Sequence, residues 1–153
     1  MKNRKRLAGL LALSMILLTL GCSDKSSTNP VPAELVGTWW FLTASFDGTP
    51  VASYNEVAND QDAVDGSVTF VTNGTWHGDE YDGSQTVVFT QSGTFFATAD
   101  SLTLILTMFG GIPQNPPDTD KVAYAIAGDL FTITSTEEIM GTPHDLLVTY
   151  EKE

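Results

Sequence analysis

The sequence predicts an all-β protein: a single antiparallel, up-and-down β-barrel of about eight strands, set behind a leader and a short linker. Three observations predict it. Short runs rich in Val, Ile, Thr, Phe, Tyr and Trp recur from residue 34 onward, punctuated by Asn-Gly, Ser-Gly, Asp-Ser and Gly-Asp. No stretch carries a helical period beyond a single turn near residues 55–64. Within the runs, apolar residues alternate with Thr and Ala, so each strand has one face to bury and one to leave wet. Strands joined in sequence by tight turns form a meander, and its free edges must be removed by closure or covered by a second layer.

The first element is not part of the fold. Lys2, Arg4, Lys5 and Arg6 precede an uncharged run from Leu7 to Leu20. As a helix that run is about 21 Å long, short of a hydrocarbon core of about 30 Å, so residues 1–21 read as a signal peptide. The segment Leu18-Thr19-Leu20-Gly21-Cys22 holds the only cysteine. It resembles the lipobox of bacterial lipoprotein precursors. The resemblance implies cleavage after Gly21 and a diacylglycerol on the Cys22 thiol, with palmitate-type acyl chains holding the protein to a membrane. Two or more chains give stable anchoring, at about 0.8 kcal/mol per buried methylene. Ser23 stands where an Asp would resemble an inner-membrane retention signal. The expected location is therefore the cell envelope, on the outer membrane where the organism has one. Residues 22–33, with Pro30 and Pro32, read as a lipidated tether.

Removal of the leader changes the charge. It takes four of the seven basic residues and none of the nineteen acids, leaving Lys25, Lys121 and Lys152 and a formal charge of −16. A nucleic-acid partner requires a basic footprint, and this chain has none. Anionic head groups repel such a domain within about a Debye length of 8–10 Å. The membrane is thus met through the acyl chains rather than through the surface. With one cysteine there is no internal disulfide, and the core alone must hold the fold.

Residues 34–153 form the barrel domain. Strands are expected near 35–45, 67–72, 75–79, 85–90, 94–99, 102–109, 121–127, 130–136 and 145–151. At Thr72-Asn73-Gly74 a three-residue loop with Gly74 in the left-handed region pairs Phe70 with Trp76 and places both aromatics on one face. A like loop at Gln91-Ser92-Gly93 is expected to pair Phe89 with Phe95. A turn at Asp100-Ser101 should then pair Ala97 with Leu104 and Phe95 with Leu106. Gly128-Asp129 pairs Ile126 with Phe131 and Tyr124 with Ile133. One face then carries Val87, Phe89, Phe95, Leu102, Leu104 and Leu106, continued by Val122, Tyr124, Ile126, Phe131 and Ile133. That face is the expected interior. Gly110 to Asp118 reads as a long Pro-rich loop, placed to lip an open end.

Glu34-Leu35-Val36-Gly37-Thr38-Trp39-Trp40 resembles the first strand of bacterial lipocalin-like domains. Val68-Thr69-Phe70 with Gly74-Thr75-Trp76, and Gly128-Asp129-Leu130-Phe131-Thr132-Ile133, resemble later hairpins of the same family in the same order. The resemblance implies an eight-stranded lipocalin-like barrel that holds one small apolar ligand. Trp39 would plug its closed end. A basic residue of the last strand usually covers that tryptophan, and no arginine remains here to do so. The ligand would meet the interior side chains Trp39, Phe70, Trp76, Phe89, Phe95, Leu104, Tyr124 and Phe131. The other reading is an envelope interaction module with a filled core, which binds a second envelope protein through its rim loops.

No catalytic constellation is present around His77 or His144, so the expected class is not an enzyme, and no cofactor is implied. Asn59 to Gly66 carries Asp60, Asp62 and Asp65, hard oxygens of the kind calcium takes. Their spacing is one residue longer than an Asp-x-Asp-x-Asp-Gly loop, and a plain polar loop is the alternative. Asp79-Glu80-Tyr81-Asp82-Gly83 reads as a second acidic turn.

Overall fold

The structure, a computed structural model, describes residues 30–139 and 142–153. The leader, Cys22 and the first part of the tether lie outside the described residues. Among those described there are nine strands: β1 (Gly37–Phe46), β2 (Thr49–Pro50), β3 (Asp65–Phe70), β4 (Thr75–Tyr81), β5 (Val87–Ala97), β6 (Ser101–Phe109), β7 (Ile112–Ala127), β8 (Leu130–Ile139) and β9 (Thr142–Lys152). Tyr54–Glu56 form one 3₁₀ turn. Apart from the two-residue flap β2, each strand pairs antiparallel with its neighbour in sequence, and β9 returns to pair with β1 from Trp39↔Lys152 to Phe46↔Leu146. The result is a closed eight-stranded up-and-down barrel with one extra strand, as the alternation and the turns predict. It is the architecture that the lipocalin-like resemblance implies.

Positive-φ residues set two of the hairpins. Gly74 has φ 80°, and Phe70 pairs with Trp76 as expected. Gly128 has φ 64°, and Ile126 pairs with Phe131 and Tyr124 with Ile133. Glycine enters this backbone region without the steric cost that a Cβ brings.

Four expectations are corrected. Gln91-Ser92-Gly93 is not a turn: β5 runs unbroken through it. Gly93 sits beside a register shift between β5 and β6, where a Cβ would collide with the Ile105 carbonyl oxygen. Glycine is needed there for close backbone approach in a bent strand, which looks the same in sequence as a turn glycine. The β5–β6 turn closes one residue earlier, with Thr98 N–H donating to Ser101 O at 2.8 Å. It pairs Ala97 with Leu102 and Phe95 with Leu104. The slip is two residues, so the interior face is unchanged. Gly110 to Asp118 is not a long loop. Gly110 (φ 55°) and Gly111 (φ 78°) make a two-residue turn, and β7 begins at Ile112. Val87 is not interior. A register shift opposite Tyr81 and Glu80 turns it to the outside, where it is 46% exposed.

The two ends of the barrel differ. At one end the chain enters along Pro30–Val36. Val31 already packs on the core, and Leu35 is fully buried. The turns after β3, β5 and β7 lie at this end. The opposite end carries the long β2–β3 connection and the turns after β4 and β6.

Candidate functional site

The closed end is a packed floor. Trp39 is fully buried, and its Nε1–H donates to Leu35 O at 2.8 Å. Phe131 lies 5.4 Å from it, ring to ring, and Phe70 touches Phe131 at 5.6 Å and Phe95 at 4.9 Å, edge to face. Such aromatic pairs add about 0.5–1.5 kcal/mol each beyond their burial. Trp76 completes the layer at 5% exposure, and among the described residues its Nε1 has no hydrogen-bond partner. Lys152, a poor candidate by sequence, covers Trp39 where no arginine remains to do so. Its Nζ stands 4.9 Å from the ring centroid and donates to Glu34 O at 3.3 Å. Trp39, Phe70, Trp76, Phe95 and Phe131 are therefore brought together as expected, but as a solid plug around one another.

Above the floor Leu146 and Ala44 are buried, while other inward side chains are less covered. By strand register these are Leu104 and Leu106 on β6, Ile133 on β8, and Val148 and Tyr150 on β9. All five are only half-buried, although they point into the barrel. Phe89 and Phe109 meet edge to face at 4.8 Å further up and are also half-buried. Inward apolar surface of this kind is compatible with ligand binding in the upper part of the barrel. Tyr150 stacks on Phe131 at 5.8 Å, and burial, with the Glu80 charge, pushes its hydroxyl up to about 12. Of the expected ligand contacts, Phe89 and Leu104 line this upper space. Tyr124 stands at its lower margin, 6.1 Å from Phe131, with its hydroxyl donating to Thr98 O at 2.8 Å.

A roof partly covers the upper end. Tyr54 of the 3₁₀ turn fills the place where β1 and β3 part: its ring lies 4.7 Å from Phe41, and its hydroxyl occupies the room left by Gly66. Burial pushes that hydroxyl well above the ordinary tyrosine range. Glu80 latches the roof. It is 4% exposed, and its carboxylate accepts from Asn59 N–H at 2.8 Å, Asn59 Nδ2 at 2.7 Å and Asp60 N–H at 2.8 Å. Hydrogen bonds to a charged acceptor contribute about 1.5–3 kcal/mol each. Beside it, Asp47 ties β1 to β9: Oδ2 meets His144 Nδ1 at 2.7 Å, and Oδ1 accepts from Asp145 N–H at 2.8 Å. These contacts hold the Asp47 carboxyl below its usual value.

Asp60 Oδ1 accepts from Asp62 N–H at 2.8 Å, and Asp65 Oδ1 accepts from Gly66 N–H at 2.8 Å. Among the described residues, no three His, Cys, Asp or Glu side chains converge on one point. Outside the barrel, an open recess of about 340 Å³ lies against Asp100, Ser101, Lys121, Val122 and Ala123. No protein-family model matches this chain, and no curated protein matches it either.

Glu80, Tyr54 and Tyr150 escape the sequence reading. Glu80 stands in an acid-rich run that reads as a solvated turn. The signal that identifies it is parity: Trp76, Gly78 and Glu80 alternate with His77 and Asp79, so an inward Trp76 carries Glu80 inward with it.

Proposed function

We propose that this chain is a lipid-anchored envelope lipoprotein whose lipocalin-like barrel holds one small, mainly apolar molecule in the upper half of its lumen. The observation that carries the reading is the ring of inward yet half-buried side chains, Leu104, Leu106, Ile133, Val148 and Tyr150, above a floor that is fully packed. A site of this kind binds through apolar surface and uses a few polar groups to orient the ligand. Here the hydroxyl of Tyr150, close to Glu80, is the orienting group. The anchor rests on the basic start, the apolar run and Leu18-Thr19-Leu20-Gly21-Cys22. The binding is read as carriage or sensing, without a chemical step.

Native mass spectrometry of the full chain, purified from its own host, tests the reading. The expected result is a co-purifying molecule of a few hundred daltons, absent when Ile133→Trp fills the lumen. Repeated recovery of the bare mass would favour the second reading, a docking module for another envelope protein. That reading draws on apolar side chains of the outer wall: Phe96 is 48% exposed and Leu42 50%.

A further inference from the structure

The barrel wall has a break on one side. β7 and β8 pair only from Ala123↔Thr134 to Ala127↔Leu130, next to their turn. Beyond that point β7 runs along β6, pairing through residues 118–122 and again at 112–113. β8 runs along β9, in register from Ser135↔Leu146 to Ile139↔Thr142. Among the described residues the two strands therefore share no ladder above Ala123↔Thr134 and diverge toward the upper end. The composition of the β7 edge fits an unpaired role. Pro113, Pro116 and Pro117 lack the N–H that a ladder needs. The other place where neighbouring strands part, between β1 and β3, is filled by Tyr54.

The break lies beside inward apolar side chains. Leu104 and Leu106 lie on the strand next to the β7 edge, Ile133 lies on β8 just below the point of divergence, and all three face inward and remain half-buried. In register, Asp120 pairs with Leu104 and Asp118 with Leu106, so both carboxylates share the inward face of β7 beside the break. Asp118 is exposed and Asp120 is half-buried. Burial and the neighbouring Asp118 charge raise the Asp120 carboxyl above its ordinary value.

We infer that the lumen is entered sideways, through the break between β7 and β8, and that Asp118 and Asp120 make this entrance select neutral or cationic apolar molecules over anionic ones. The inference rests on the open lumen proposed above and adds its route and its charge preference. A low-dielectric cleft lined by one sign of charge concentrates the opposite sign and repels its own. A fatty acid or another apolar anion thus meets a barrier at the break, whereas a hydrophobic amine or a neutral lipid does not.

Cysteine accessibility in the full chain tests this without a known ligand. Ile133→Cys and, separately, Leu104→Cys are treated with cationic and anionic methanethiosulfonate reagents of similar size. The unsubstituted chain serves as the control for Cys22. Both introduced thiols are expected to react in the folded protein, the cationic reagent about tenfold faster. Asp118→Asn with Asp120→Asn should bring that ratio close to one. Asp118→Trp, checked for folding by circular dichroism, should slow both reagents, whereas Asn55→Trp on the roof should not. Equal rates for the two reagents, a ratio that ignores the Asn substitutions, or slowing by Asn55→Trp alone would overturn the side entrance and leave the lumen standing. Failure of both thiols to react with either reagent would overturn the open lumen and the entrance together.

Discussion

Lys152 and Trp39 show how much a single cation does in a chain this acidic. The ammonium sits over the indole ring and caps the Glu34 carbonyl, closing the floor of the barrel at the point where the chain enters. Its alkyl stem also lies against Gly37, with Cε 3.2 Å from where a Cβ would stand. Lys152→Met keeps most of the stem and removes the charge. Denaturant unfolding should show a loss of about 0.5–2 kcal/mol, and added salt should shrink the difference little because the contact is short. Tyr150 gives a second prediction at this scale. Its hydroxyl ionises near 10 when unfolded and near 12 in the barrel. The folded state therefore holds a proton that the unfolded state has lost. The contribution is complete below pH 10 and disappears as pH rises through 12. Melting temperature should fall across that window, and Tyr150→Phe should flatten part of the fall. The remainder belongs to Tyr54 and Tyr124, which shift in the same direction. A wild-type curve that stays flat above pH 10 would count against burial of these hydroxyls.

Elements are held by what their residues prevent as well as by what they bond. Gly93 lets β5 pass close to β6, and a methyl group would strike the Ile105 carbonyl oxygen, which cannot move without the ladder. Gly93→Ala should destabilise by about 2 kcal/mol or more, a cost in the range of overpacked and strained backbone sites. Gly83→Ala, where a Cβ meets open space, should be close to neutral in the same unfolding assay. The roof depends on Glu80 in the same specific way. Glu80→Leu leaves Asn59 and Asp60 N–H groups without their acceptor. Hydrogen exchange at residues 58–60 should rise at least about tenfold, the equivalent of one charged hydrogen bond, with the floor amides unchanged. The hairpins after β3 and β7 were readable because Asn73-Gly74 and Gly128-Asp129 combine a positive-φ glycine with apolar residues that register onto one face. The run at Gln91-Ser92-Gly93 misled because a bend glycine and a turn glycine have the same letter. The Gly110-Gly111 turn was masked by the prolines that follow it, which mark an edge strand as readily as a loop. Register shifts were not legible either, so Val87 was assigned to the wrong side.

At the scale of the molecule, the floor and the lumen divide the interior into two jobs. Trp39, Phe70, Trp76, Phe95 and Phe131 spend their surface on one another and supply the stability that a chain without a disulfide needs. The β6, β8 and β9 side chains above them, Leu104, Leu106, Ile133 and Tyr150, pack against that cluster and stay half-buried. The interior face was legible from alternation alone. Which of those side chains are fully buried was not, because burial in a barrel depends on what stands across from each residue, and that is set by closure of β9 onto β1. The proposed anchor has the opposite character: it is read from residues 2–22 alone, which lie outside the described structure. The chain enters the barrel at the floor, so the open upper end is the one far from the tether, and its acidic rim disfavours approach to an anionic leaflet.

The open lumen is the claim on which the rest depends, and a titration of the purified full chain with an uncharged, environment-sensitive naphthalene dye tests it most directly. The account predicts saturable binding of one dye per chain, with Ile133→Trp abolishing it while the melting temperature stays within a few degrees. No binding, or binding that Ile133→Trp leaves unchanged, would contradict it.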